Sequence, residues 1–180
     1  KTGVDSCVAL IQENGAYVLT GPLSAAGVVG NCITIDQPNI TLDCQYNVIT
    51  TDVDNTNLIY ISRDTANVNN CNISGGTGGY GTGIKVDDSP WHVISNIRID
   101  NLSRAIEIAD GYDMRMENIT IKNSVSSSLS VIKITGVDNV TSKGISILEG
   151  AGSGVGIEIA SADNVLQDIY IEDTNGAGLL

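Results

Sequence analysis

The chain has 180 residues and a net charge of −12, from nine Lys and Arg against 21 Asp and Glu, with one His, one Trp and no Phe. So few cations leave no basic patch to neutralise phosphates, which weighs against a nucleic-acid partner and against an anionic membrane surface. No stretch approaches 18 consecutive apolar residues, so no segment is predicted to span a bilayer.

From the N-terminus onward, one pattern returns: an apolar residue, any residue, an apolar residue. It occurs as Val8-Ala9-Leu10, Ile33-Thr34-Ile35, Ile59-Tyr60-Ile61, Ile84-Lys85-Val86, Ile106-Glu107-Ile108, Ile132-Lys133-Ile134 and Ile157-Glu158-Ile159, at steps of 25, 26, 25, 22, 26 and 25 residues. A period in this range marks a repeat architecture, and the alternation within each triplet marks a strand with one buried face. A second register agrees: Ile40-Leu42, Ile73, Ile97-Ile99, Ile119-Ile121, Ile145-Ile147 and Ile169-Ile171. The prediction is an all-β parallel β-helix solenoid of about seven coils, each 22–26 residues long, without obvious end caps.

Residues 1–180 form one domain in this reading, with coils opening near 7, 32, 58, 83, 105, 131 and 156. Stacked strands lie ~4.8 Å apart, so the rod is about 30–35 Å long. Its 24 Ile and absence of Phe suit a narrow tube filled by stacked β-branched side chains. The start at Lys1 is expected to reflect a mature or trimmed product and is compatible with export.

Cys7 and Cys32 are 25 residues apart and Cys44 and Cys71 are 27 apart, each about one coil. Adjacent rungs bring such a pair within disulfide reach, and two disulfides imply an oxidising, extracellular or cell-surface setting. Free thiols stacked in the core, or cross-links between subunits, are the alternatives. No cysteine has the spacing of a metal site, so no metal is predicted from them.

Between strands, Asn39, Asn67, Asn96, Asn118, Asp138-Asn139 and Asp163-Asn164 suit corners, because Asn and Asp tolerate left-handed backbone. Gly-rich returns stand at 75–83, 150–156 and 176–178. The outward residues Lys85, Glu107, Lys133 and Glu158 alternate in sign from rung to rung, which would hold the register and gives Glu107 and Glu158 a structural task.

Several motifs are weighed against plainer explanations. The G-x-G-x-x-G letters at 76–81 precede a strand, whereas a dinucleotide site needs a helix there. Five N-x-S/T sequons, at Asn39, Asn72, Asn101, Asn118 and Asn139, are glycosylation candidates, though Asn also serves the turns. The segment Asp87-Asp88-Ser89-Pro90-Trp91-His92 holds the only Trp and the only His. Carboxylates could take calcium, a base could abstract a proton, and Trp could stack on sugar; ordinary turn chemistry explains the same letters. No other cofactor is suggested.

Asn39-Ile40-Thr41-Leu42-Asp43-Cys44, followed by Val48-Ile49-Thr50, resembles the first-coil signature N-V-T-L-D-G…H-T-I-T-G of right-handed parallel β-helix proteins, the carbohydrate-binding and sugar-hydrolase (CASH, NosD-like) family. Gly15 to Leu23 is similar to that group's G-x-Y-x-L-T-x-D-L lead-in. Cys44 stands where Gly is usual and Asn47 where His is common, and the acidic and basic residues that the family's lyases carry on successive rungs have no match here. The resemblance implies a secreted β-helix, closest in character to prokaryotic, archaeal-like sheath or surface-layer subunits.

No amphipathic helix caps either end, so the chain is expected to be a piece of a longer rod or to stack head-to-tail with copies of itself. The expected function is therefore a non-enzymatic, self-assembling structural protein of a sheath, surface layer or filament. Val8 and Leu10 at one end would meet Ile157, Ile159, Leu179 and Leu180 at the other. The alternative is a polysaccharide-binding domain or a polysaccharide lyase or hydrolase, centred on Asp87, Asp88, Trp91 and His92.

Overall fold

The computed structural model describes residues 1–10, 12–76, 81–88, 90–124, 129–148, 155–172 and 178–180. All regular elements among them are strands, and every strand pair is parallel. The triplets stack as one face of a tube: Val8–Leu10 on Gly30–Ile35, then Thr56–Ile61, Thr82–Asp87, the start of Arg104–Lys122, the start of Ile132–Leu148, and Ile157–Ala160. Seven triplets are separated by six turns of chain, which makes this the parallel β-helix that the spacing predicts.

Two further faces complete each rung. The second face carries Ala16–Leu19 on Thr41–Asp43, followed by Asn67–Gly75, Val93–Asp100 and the later parts of the two long strands, and it ends on Val165–Ile171. The third begins with Leu23–Ser24 on Val48–Thr51 and continues through the C-terminal halves of the same strands.

The core follows directly from this register. Ile33, Ile59, Ile84, Ile106, Ile132 and Ile157 occupy one inward column, with Ile35, Ile61, Val86, Ile108 and Ile134 in the next, all buried. Ile49, Ile73, Ile99, Ile121 and Ile147 close the tube from the third face. Full burial of such a side chain contributes about 1.5–3 kcal/mol, so continuous like-on-like columns account for the tube's cohesion.

Disulfides join Cys7 to Cys32 and Cys44 to Cys71, with Cα separations of 4.4 Å and 4.8 Å. That distance is the rung spacing itself. Free or intersubunit cysteines are thereby set aside, and a paired set of this kind suits an oxidising environment. Among the described residues no helix is long and apolar enough to cross a membrane.

Several left-handed columns run along the corners, and two of them flank the second face. Asn14, Asn39, Thr65, Trp91, Asp113, Asn139 and Asp163 line the corner before the second face, with φ between 55° and 62°. Asn70, Asn96, Asn118, Gly144 and Asp168 line the corner before the third. Asn67, expected at a corner, begins a strand instead, and the bend is at Asn70. This second column is stitched by its own amides: Asn118 Nδ2 donates to Asn96 Oδ1 at 3.1 Å, Asn96 to Asn70 at 3.2 Å, and Asn70 to Asp43 at 3.1 Å.

The outward charges behave differently from expectation. Lys85, Glu107, Lys133 and Glu158 do stand in register, yet the ion pairs found run along strands, Lys85 to Asp87 at 3.2 Å and Arg104 to Glu107. Neighbours two or three residues along the chain offer geometry as close as the next rung does.

Candidate functional site

Trp91 is the anchor of the site. It occupies the first corner column, where other rungs place Asn, Asp or Thr, and its φ of 59° puts a bulky aromatic in left-handed backbone. Such a residue is a genuine outlier, held only when its surroundings determine it. Here they do: the Trp91 backbone N–H donates to Tyr112 O at 3.0 Å. Its ring meets Tyr112 edge-on, with centroids 5.2 Å apart and planes at 83°. Its indole Nε1 donates to Asp113 Oδ2 at 3.0 Å. The ring still leaves 50% of the residue exposed, and Tyr112 is 45% exposed.

Asp113 carries the arrangement onto the next rung. Its second oxygen accepts from Asn139 Nδ2, so one carboxylate ties three rungs together. From Asp113 and Asn139 a groove of 460 Å³ opens over the second face, lined also by Arg115, Glu117, Thr141, Lys143 and Gln167. The register explains the lining: Arg115 faces Thr141, and Glu117 faces Lys143, which faces Gln167. Arg115 pairs with Glu117 at 2.5 Å. The walls therefore alternate donors and acceptors, and from Asp113 to Gln167 they span three rungs, on the order of 10 Å, with Trp91 one rung beyond Asp113.

The four residues expected as a sugar or calcium centre are not brought together. Asp87 points out from the triplet face, paired with Lys85. Burial and the nearby Asp87 carboxylate together hold the Tyr60 phenol above its ordinary range. Asp88 is an exposed corner residue whose backbone N–H donates to Ala109 O at 2.9 Å. His92 is 1% exposed, and its Nδ1 accepts the Ala66 backbone N–H at 3.1 Å, which makes it a core acceptor rather than a surface base. The cause is alternation: once Trp91 turns the corner outward, the next side chain must face the core. Among the described residues no three His, Cys, Asp or Glu side chains are grouped to hold a metal ion. Ser89 and residues 77–80 of the Gly-rich segment lie outside the described residues, as do parts of the other two Gly-rich returns.

The residues expected to join copies are also dispersed in character. Leu10 and Ile157 are core residues, and Ile157 is covered by its own chain, because its N–H donates to Gly178 O and its carbonyl accepts from Leu180, each at 2.9 Å. Val8, Leu179 and Leu180 are exposed and Ile159 is half-buried. Of the sequon residues, Asn39, Asn118 and Asn139 are exposed and Asn72 and Asn101 half-buried. The amides of Asn72, Asn101, Asn118 and Asn139 donate across rungs, to Tyr46 O, Gly76 O, Asn96 Oδ1 and Asp113 Oδ1 respectively.

Tyr112, Asp113, Arg115, Glu117, Lys143 and Gln167 were not singled out from sequence. The 22-residue step that sets Ile106 under Ile84 also sets Asp113 under Trp91, so the signal was present. What concealed it was the Trp, which does not look like a member of an Asx column.

An all-β tube of parallel rungs with a polar groove on one face defines the class, a β-helix protein. The sequence matches the family described as right handed beta helix region over residues 57–180, and the chain belongs to that family. A comparison with curated proteins finds no match. Among solved structures, one similar fold is that of a Parabacteroides merdae protein put forward as a glycosyl hydrolase. Its TM-score is 0.60 at 12% identity, covering 87% of this chain and 82% of that one. Another is a variant of the catalytic domain of GH87 alpha-1,3-glucanase in complex with nigerose, with a TM-score of 0.45 at 11% identity, covering 96% of this chain and 52% of that one.

At such identity the first likeness shows the fold. It nevertheless overturns the expectation of a non-enzymatic chain, because that expectation rested on the architecture, and a protein put forward as a glycosyl hydrolase carries the same architecture.

Proposed function

We propose that the chain is a carbohydrate-active β-helix domain that seats a polysaccharide along the second-face groove, with Trp91 and Tyr112 as the aromatic rim. The observation that carries this reading is Trp91 itself. A half-exposed indole held in left-handed backbone by Asp113 and Tyr112 is a strained, pre-oriented platform with no task in the core. Sugar rings present an apolar face to such a platform and hydroxyls to the charged and amide groups beyond it.

The name of the Parabacteroides merdae protein, put forward as a glycosyl hydrolase, adds cleavage of the bound polymer to the reading. Glycoside hydrolysis generally uses two carboxylates, and Asp113 and Glu117 are the carboxylates bordering the groove. The protein would act outside the cytoplasm, in keeping with its disulfides.

The test is a panel of neutral and acidic polysaccharides, scored for retardation in affinity electrophoresis and for release of reducing ends. Retention that is lost in Trp91→Ala, and reducing-end release that is lost in Asp113→Asn or Glu117→Gln, is the expected result. Binding that survives Trp91→Ala undiminished would refute the groove as the site.

A further inference from the structure

The backbone outliers mark a second place on the rod. Among the described residues other than Gly in left-handed backbone, most are Asn or Asp; the aromatic ones are Trp91 and Tyr46, with φ of 59° for each. Trp91 adjoins the 460 Å³ groove on the second face. Tyr46 is joined through its carbonyl to Asn72, which lines a different groove, of 370 Å³, on the third face, together with Val48, Ser74, Arg98 and Asp100.

The turn that presents Tyr46 is built with the same care as the one that presents Trp91. Asp43 Oδ1 accepts the Gln45 backbone N–H at 3.0 Å, forming an Asx turn. The Tyr46 N–H donates to Asn70 O at 2.6 Å, and Asn72, a groove residue, donates its side-chain amide to the Tyr46 carbonyl. A left-handed tyrosine next to a left-handed Gln45 is unfavourable in isolation, so three hydrogen bonds hold a ring that is 63% exposed and supports no core. Strain maintained for an outward aromatic points to binding.

The chemistry of the adjoining groove fits a sugar. Arg98 is exposed and makes no ion pair among the described residues. Two residues on, Asp100 faces the same groove, with one oxygen accepting from Asn123 at 2.9 Å. A guanidinium that donates and a carboxylate that accepts, set two residues apart on one strand face, suit neighbouring hydroxyls. The Ser74 hydroxyl and the Asn72 amide extend the same polar wall. One positive and one negative group cancel, and the chain's net charge of −12 repels polyanions, so the ligand is an uncharged one.

We infer that the third face carries a second saccharide-binding site, formed by Tyr46, Asn72, Arg98 and Asp100, which takes a neutral oligosaccharide independently of the Trp91 groove. Two sites on different faces let one rod hold two polymer chains, or two stretches of one chain, and raise the effective concentration of the polymer at either groove.

The experiment is isothermal titration of the full chain with neutral hexasaccharides of the gluco, xylo and manno series, using the wild type, Arg98→Ala, Tyr46→Asn and Trp91→Asn. Asn is at home in left-handed backbone, so the last two variants retain the turns, and circular dichroism checks that all fold. Two binding events per chain are expected with at least one hexasaccharide. Arg98→Ala or Tyr46→Asn should remove one event or weaken it at least tenfold, and Trp91→Asn should affect the other. One event lost in Arg98→Ala and Tyr46→Asn but kept in Trp91→Asn would still support the third-face site while sinking the second-face reading. A titration unchanged by Arg98→Ala and Tyr46→Asn, or no binding of any hexasaccharide, overturns the inference.

Discussion

Replacing Trp91 by Asn separates a binding residue from a structural one, because the two tasks predict opposite outcomes. The wild-type residue keeps an aromatic in left-handed backbone, a strain of about 1–3 kcal/mol that Asn would largely relieve. Against that, the variant loses the edge-on contact with Tyr112, about 0.5–1.5 kcal/mol, and the indole hydrogen bond to Asp113, about 1 kcal/mol. An Asn amide can restore part of the latter, since Asn139 already donates to the same carboxylate from the other side. The sum lies within about 1 kcal/mol of zero, and for a domain of this size that moves Tm by only about 2–4 °C. Polysaccharide affinity, by contrast, should fall by about 30-fold if the ring contributes about 2 kcal/mol, the scale of a binding hot spot. Differential scanning calorimetry and affinity electrophoresis on the same preparations measure both. A variant that melts more than 10 °C lower, with affinity intact once folded, would show Trp91 to be a structural corner and remove the main support for the groove; that threshold is roughly three times the shift expected above.

Reducing the Cys44–Cys71 disulfide frees a span of 27 residues, for which chain entropy predicts a loss of about 3.5 kcal/mol. In a solenoid this loss should be local, with hydrogen exchange accelerating around residues 41–75 and little change near Ile132–Leu148. Asn96→Ala removes two rungs of the amide stack and places Ala in left-handed backbone, whereas Asn96→Gly removes the same bonds without the backbone conflict. Urea denaturation should find Ala less stable than Gly by about 1 kcal/mol, and equal stabilities would argue against the strain. Ile134→Ala, in the middle of a buried column, should lose about 2–5 kcal/mol. The Asp43 carboxyl is held below its ordinary range, first by the Asn70 amide and then by the Gln45 N–H. Its stabilisation is therefore present above the unfolded-state pKa of about 3.9 and lost as pH falls through the lower folded value. Asp43→Asn should flatten the stability profile between the folded value and the unfolded one, and an unchanged acid limb would show that other carboxylates set it.

The sequence by itself determined the tube. Period-2 triplets recurring every 22–26 residues can bury their apolar faces only by stacking, so the register and the cysteine partners one coil apart were legible before any coordinates. Its local letters were less decisive about the corners, because Asn at a bend and Asn at the head of a strand look alike; only the backbone separated Asn70 from Asn67. The site belongs to tertiary structure altogether. Asp87, Asp88, Trp91 and His92 are neighbours in the chain, but strand alternation and one corner send them to the triplet face, the edge, the corner beside the groove and the core. The groups that do surround Trp91 lie 21 and 22 residues away at Tyr112 and Asp113. A solenoid makes contacts between rungs, at distances of one period, and it was stacking rather than adjacency that decided which side chains meet.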